Sequence, residues 1–152
     1  WKFNMKIDEI DKKILNELII NSKLSYRDIA KNVKVSTVTV MNRIKKLQKE
    51  KIIKKYVTII DYEKLMYDFE IIVEMRISNG KLFEVEKKIS SHPNVFKVID
   101  ITGDFDALVF ARFTSRARMD TFIKKIQTHN FIERIKTRII LNNISNKEQL
   151  IK

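Results

Sequence analysis

Apolar residues recur at helical spacing three times before residue 50, after which the period changes to two. Asp8 is a good N-cap for a first helix, and Ile10, Ile14 and Leu18, with neighbouring Leu15 and Ile19, form its apolar stripe. Asn21-Ser22-Lys23 breaks the pattern. Ser25 opens a short second helix, with Asp28 three residues later as a weak capping box and Ile29, Ala30 and Val33 on its buried side. Ala30 is small enough to let the next helix approach closely. After Lys34-Val35, Ser36 caps a third helix reaching Lys49, whose stripe is Val40, Ile44 and Leu47. Its opposite side is expected to carry Thr39, Asn42, Arg43 and Lys46, residue types that hydrogen-bond base edges and phosphates. A helix, a tight turn and a second helix with this spacing predict a helix-turn-helix whose last helix reads DNA. A plain three-helix bundle would show Glu/Lys pairs on that face instead.

Lys51–Ile60 is β-prone and extended, and 61–68 is polar and turn-like. From Phe69 the chain alternates. Phe69, Ile71, Val73, Met75 and Ile77 fall on one side of a strand, and Glu70, Ile72, Glu74 and Arg76 on the other. A helix over Leu82–Ser91, strands over Asn94–Thr102 and Phe105–Thr114, a helix over Ser115–Thr128 and a strand over Phe131–Asn142 complete a βαββαβ order. The fold class is therefore α+β: an N-terminal helix-turn-helix (winged-helix-like) domain and a C-terminal ferredoxin-like antiparallel sheet with both helices on one face. The expected domains are 1–56 for DNA binding, 57–68 as extended hinge, and 69–152 for the βαββαβ sheet and oligomerisation. The uncovered sheet face is expected to show Ile72, Val98, Leu108, Phe110 and Ile140 beside charged groups, a surface that a second copy would bury. A two-fold dimer joined there would offer paired reading helices to a palindromic site.

Charge sharpens this picture. Of a net charge of +12, residues 1–60 carry +9, with 15 basic and 6 acidic residues, and 31–55 alone carry +8. A polyanion is the favoured partner, although solvated lysines that only maintain solubility are the plain alternative. Phosphate contacts are expected from Lys31, Lys34, Lys45, Lys46, Lys49, Lys54 and Lys55, with the amides that follow Ser36. Base reading is expected from Thr37, Thr39, Asn42 and Arg43, with Val38 against a thymine methyl. With no cysteine, disulfides and thiolate chemistry are excluded, which suits the cytoplasm. No apolar run approaches the roughly 20 residues that span a bilayer, and no signal sequence opens the chain. Trp1 is not an initiator, and Met5 is the expected natural start. His92 and His129 are isolated, no metal-spaced cluster or phosphate loop occurs, and neither catalytic residues nor a cofactor are expected.

Asp8-x-x-Asp11-x-x-Ile14-Leu15, Ile29-Ala30, Val35-Ser36, Val40-x-x-Arg43-Ile44-x-x-Leu47, Ile52-Ile53-x-x-Tyr56 and Gly103-Asp104-Phe105-Asp106 follow in order. With them the chain resembles, over nearly its whole length, the Lrp/AsnC (feast/famine) transcription regulators, most of all the archaeal ones. The resemblance implies a DNA-binding domain, a ligand-sensing (RAM) domain, and dimers that assemble further, often to octamers. It also implies an amino-acid effector held between dimers near the 103–106 loop. Thr102, Gly103, Asp104 and Asp106 are the candidate effector residues: carboxylates for an ammonium group, exposed amides for a carboxylate. The bland reading of Gly-Asp is a hairpin turn alone. Where the family often has glycine, in the turn between helices 2 and 3, before Ile52-Ile53 and in the hinge, this chain has Lys34, Lys51 and Met66-Tyr67. An architectural DNA-coating protein with low sequence specificity is the alternative function. An RNA-binding module is a weaker one, since the sheet lacks a clear set of stacking aromatics.

Overall fold

A computed structural model describes residues 7–145 and 148–152, so the start expected at Met5 lies outside the described residues. The chain forms two compact units. One runs from the N-terminal helices to Ile59 and takes in the described residues of 145–152; the other spans Ile60–Ile144.

The first unit holds α1 (Glu9–Ile20), α2 (Tyr26–Val33) and α3 (Thr37–Lys49). Each begins where a side chain satisfies an otherwise orphaned amide. Asp8 accepts from the Asp11 N–H, and Asp11 accepts in return from the Asp8 N–H, a reciprocal capping box. Ser25 and Ser36 accept from the amides of Asp28 and Thr39. Ile14, Ile29, Ala30, Val33, Val40 and Ile44 pack into one core, with Ile10, Leu18, Leu24, Val35 and Ile53 at its margin. Burying an aliphatic side chain of this size contributes roughly 1.5–3 kcal/mol each, so this small unit rests on few residues.

Among the described residues, three outside glycine have left-handed backbone: Lys34 at φ 61°, Lys51 at φ 56° and Met66 at φ 61°. They are the places where a glycine was to be expected. The turns keep the glycine conformation and carry the strain, on the order of 1 kcal/mol each, that a Cβ brings.

The C-terminal segment, expected to belong to the second unit, groups instead with the first. The Asn16 side chain clamps Ile151, donating to its carbonyl at 3.0 Å and accepting from its N–H at 2.8 Å. An amide side chain thus imitates one rung of a β-ladder.

The second unit contains β1 (Phe69–Ile77), α4 (Leu82–Ser90), β2 (Val95–Asp100), β3 (Ala107–Phe113), α5 (Arg116–Gln127) and β4 (Ile132–Ile139). The sheet order is β2-β3-β1-β4, and every neighbouring pair is antiparallel. The core lies on the helix-covered face, where Ile71, Val73 and Met75 of β1 and Val109, Ala111 and Phe113 of β3 meet Val85, Ile89, Met119, Phe122 and Ile126. The 61–68 segment contains a single 3-10 turn, Glu63–Leu65.

One strand face was misassigned by alternation. A bulge between Val95 and Lys97 resets the register, so that Val98 pairs with Val109 and joins the helix-covered core instead of the open face. Phe96, the extra residue, lies 6.1 Å from Phe110 and, with Ile99 opposite Leu108, takes the place on the open face that Val98 was to fill. The open face therefore carries Ile72, Phe96, Ile99, Leu108 and Phe110. Two ion pairs lie on it, Arg112 with Glu70 at 2.7 Å and Arg138 with Glu74 at 2.8 Å, and the Lys97 ammonium sits over the Phe110 ring at 5.3 Å.

Candidate nucleic-acid interface and effector loop

α3 turns its stripe of Val40, Ile44 and Leu47, each fully buried, into the core. At about 100° per residue the side diametrically opposite is Val38, Asn42, Lys45 and Lys49, with Lys46 beside it. Asn42, Lys45, Lys46 and Lys49 are exposed, as is Thr37, and Val38 is 62% exposed. Lys31, Lys34, Lys54 and Lys55, which flank the helix in sequence, are exposed as well. Cations in the last turn of α3 (Lys46 and Lys49) also suit its dipole. Ser36 and Thr39 are differently occupied. The Ser36 hydroxyl caps the helix and lies 2.8 Å from the Thr39 hydroxyl, so both are engaged with each other.

Arg43 is placed differently from the other candidates. It falls on the flank of α3 toward α1, not at the centre of the outward face. Its Nη1 lies 3.2 Å from both carboxylate oxygens of Asp11 and bonds Asp8 as well. Asp11 is 1% exposed, while the Arg43 side chain retains 30%. A buried carboxylate at the start of α1 is thus neutralised by a cation from α3. Asp8, through its hydrogen bond, does most to hold the guanidinium protonated. Asp8 itself sits below the usual carboxylate range, first through the Asp11 amide and then through Arg43. The residue expected to grip a guanine is thus held by two carboxylates of the first helix and its cap. Sequence spacing gave no sign of this, because the partners are 32 and 35 residues away.

The loop between β2 and β3 holds the other candidates. Gly103 has φ +117°, which other residues rarely adopt. Asp106 is committed to structure: its carboxylate accepts from the Ile77 N–H at 2.7 Å, and its own N–H donates to the Met75 carbonyl at 2.8 Å. One carboxylate oxygen of Asp106 therefore serves the turn. Thr102 and Asp104 remain exposed. Two residues that the sequence reading passed over also meet here. Arg76 Nη1 donates to the carbonyls of Gly103 and Asp104 at 3.4 and 3.1 Å. Arg134, opposite Arg76 across β1 and β4, lies over the Phe105 ring at 5.8 Å. Two facing arginines beside an exposed aspartate offer both signs of charge within one loop.

Elsewhere in this unit Glu86 on α4 and Asp100 on β2 line a shared hollow, and Glu86 Oε1 is buried without a hydrogen-bond partner among the described residues. Burial first, and the Asp100 carboxyl second, push the Glu86 pKa up to about 7. No helix among the described residues is long and apolar enough to cross a membrane.

Comparison with known proteins agrees with this division of labour. The model of the AsnC-type helix-turn-helix domain matches residues 7–48, and that of the Lrp/AsnC ligand binding domain matches 70–150. An uncharacterized HTH-type transcriptional regulator of Pyrococcus furiosus is 39% identical over 137 residues, covering 90% of this chain and 93% of that protein. The HTH-type transcriptional regulator LysM of Saccharolobus solfataricus is 35% identical over 138 residues, covering 91% and 96%. Among solved structures, E. coli AsnC superposes with a TM-score of 0.88 at 26% identity, covering 97% of this chain and all of that one. A transcriptional regulator of Neisseria meningitidis in complex with L-Met shares the fold, with a TM-score of 0.86 at 21% identity and coverage of 93% and 94%. Two family models that together span most of the chain, and relatives of this identity over nine-tenths of it, establish that the protein belongs to the Lrp/AsnC family of transcription regulators.

Proposed function

We propose that this regulator recognises specific double-stranded DNA through the Val38–Asn42–Lys45–Lys49 stripe of α3, that two copies join through their open sheet faces, and that a free amino acid at the 102–106 loop adjusts the assembly. The observation that carries the DNA reading is that this stripe is exposed and, Val38 apart, polar or cationic, while the other side of the same helix is fully buried. Asn42 has the donor–acceptor pair that fits an adenine edge, and Val38 fits a thymine methyl. Lys45, Lys46, Lys49, Lys54 and Lys55 supply phosphate contacts, which give affinity without sequence information. Thr37, beside them, stays a candidate for base or phosphate contact.

The open sheet face supports the dimer: Ile72, Ile99, Leu108 and Phe110 are half-buried and Phe96 exposed in the single copy, and two of its arginines already pair with Glu70 and Glu74, so those charges need no new partner on desolvation. Assembly beyond the dimer, to an octamer as in the family, follows from the same reading. At the loop, Arg76 and Arg134 would take an amino acid's carboxylate, and Asp104, with Thr102 beside it, the ammonium group. The L-Met complex of the meningococcal relative supports the ligand class. A soluble cytoplasmic location follows from a DNA partner.

The test is titration of two duplexes, one enriched by the protein from a random pool and one scrambled. Asn42→Ala should lower affinity for the enriched duplex by roughly 1–3 kcal/mol and leave the scrambled one nearly unchanged. Lys54→Ala should weaken both alike and reduce the salt slope by about one. Equal losses on both duplexes for Asn42→Ala would reject the reading role. Calorimetry with the twenty amino acids, on the protein and on Asp104→Asn, tests the effector; silence across all of them leaves the loop as a turn only.

A further inference from the structure

The helix-covered side of the second unit holds a cleft of about 500 Å³ between α4 and α5, lined by none of the 102–106 loop residues. We propose that this cleft binds a small organic anion with an apolar body and no ammonium group, such as an arylalkyl carboxylate. Its size falls in the range of ligand sites. Ile89, Phe122 and Ile126 form an apolar floor, each at most 6% exposed. The imidazole of His92 lies 4.8 Å from the Phe122 ring, which adds an aromatic wall.

The rim is of one sign. Lys88 and Lys125 line the cleft, and no Asp or Glu does. Neither lysine enters an ion pair found among the described residues. Both lining histidines already accept a backbone N–H at Nδ1, from Asn94 for His92 at 3.2 Å and from Phe131 for His129 at 3.4 Å. That fixes the proton on Nε2, leaving each ring a donor. Burial, and then Lys125, lower the His92 pKa, so this ring is neutral near pH 7. The remaining lining side chains with oxygen are the neutral hydroxyls of Ser91 and Thr128, which do not balance an ammonium charge. An acceptor with a negative charge is satisfied here, and a zwitterionic amino acid leaves its cation unpaired in a partly apolar site. The chemistry is the opposite of that at the 102–106 loop, where a carboxylate and arginines stand together.

Backbone NMR titration of the full protein with 3-phenylpropionate, L-phenylalanine and inorganic phosphate separates the possibilities. 3-Phenylpropionate should shift amides of 88–92 and 122–129 and saturate with Kd on the order of 0.1–1 mM. L-phenylalanine should shift those same amides at least about tenfold more weakly, and phosphate, which has no apolar body, should not saturate them. Lys88→Gln with Lys125→Gln, both at exposed positions, should lower the 3-phenylpropionate affinity about tenfold or more while the rest of the spectrum stays in place. No saturable shift in these segments, equal binding of L-phenylalanine there, or an unchanged affinity in the double variant would overturn the proposal.

Discussion

Replacing Arg43 by alanine should loosen the seat of the reading helix before it alters what that helix reads. The guanidinium is the cation that meets Asp11, a carboxylate 1% exposed. Removing one partner of a fully buried ion pair costs about 3–5 kcal/mol, because the other charge is left uncompensated. Here the Arg43 side chain is 30% exposed, so water reaches part of the vacated space, and about 2 kcal/mol is the reasonable magnitude. For a unit of this size that lowers its melting temperature by roughly 8–16 °C. The assay is thermal unfolding followed on the full protein, in a double-mutant cycle with Asp11→Asn. Asparagine keeps an acceptor for the Asp8 amide and removes the buried charge, so in that background the penalty for Arg43→Ala should shrink to well under about 1 kcal/mol. The pH dependence has a definite sign. Asp8 is held below its ordinary 3.8, so the stability it contributes is present above that value and is lost as pH falls through its folded value. Without Arg43 part of that depression disappears, and acid unfolding should begin at higher pH. On DNA, both enriched and scrambled duplexes should lose affinity in similar proportion. An unchanged melting curve together with a collapsed preference for the enriched duplex would refute this reasoning and return Arg43 to base reading.

Lys34→Gly relieves left-handed strain and removes one charge from the turn, so it should stabilise the first unit by about 0.5–1 kcal/mol while weakening all DNA alike; a destabilised variant would count against the strain. Glu86, with its pKa raised to about 7, favours the protonated form in the folded state, so its contribution is full below about pH 4.5 and is lost as pH rises through 7. Glu86→Gln should therefore raise thermal stability at pH 8, by about 1 kcal/mol or more, and change little at pH 4.5; the same effect at both pH values would show that the carboxyl does not titrate this way. Asn16→Ala removes both hydrogen bonds to Ile151, costing about 1–2 kcal/mol, and should speed amide exchange at Ile151 without touching exchange in the sheet.

Most helix starts were legible because a single residue announces each. Asp8, Ser25 and Ser36 stand just before apolar-periodic segments and cap them as their chemistry requires. The sheet was legible as alternation, down to the partition of Ile71, Val73 and Met75 from Glu70, Ile72 and Glu74. Alternation failed at Phe96, because a bulge adds one residue without any mark in composition and flips all that follows; Val98 moved to the core for that reason alone. The exposed, basic side of α3 was legible in broad outline from charge and helical period. Arg43 was not, since what decides its role is a carboxylate 32 residues away that only the fold brings near. Arg76 and Arg134 were missed on the same ground: as strand residues on a half-polar face they look like solubilising charge until the loop is laid beside them. The hydrogen bond from the Ile77 N–H to the Asp106 carboxylate was not legible either, since strand β1 and the loop meet only in the fold.

The clamp between Asn16 and Ile151 has a consequence for how the molecule is made. The second unit, from Ile60 to Ile144, is in effect an insertion in the first. The three helices leave the ribosome early and can condense on their own core, but their final stitch exists only once translation has passed residue 151. Until then the nascent DNA-binding unit lacks one of its fastenings, and it acquires the last one after the sheet has had time to form.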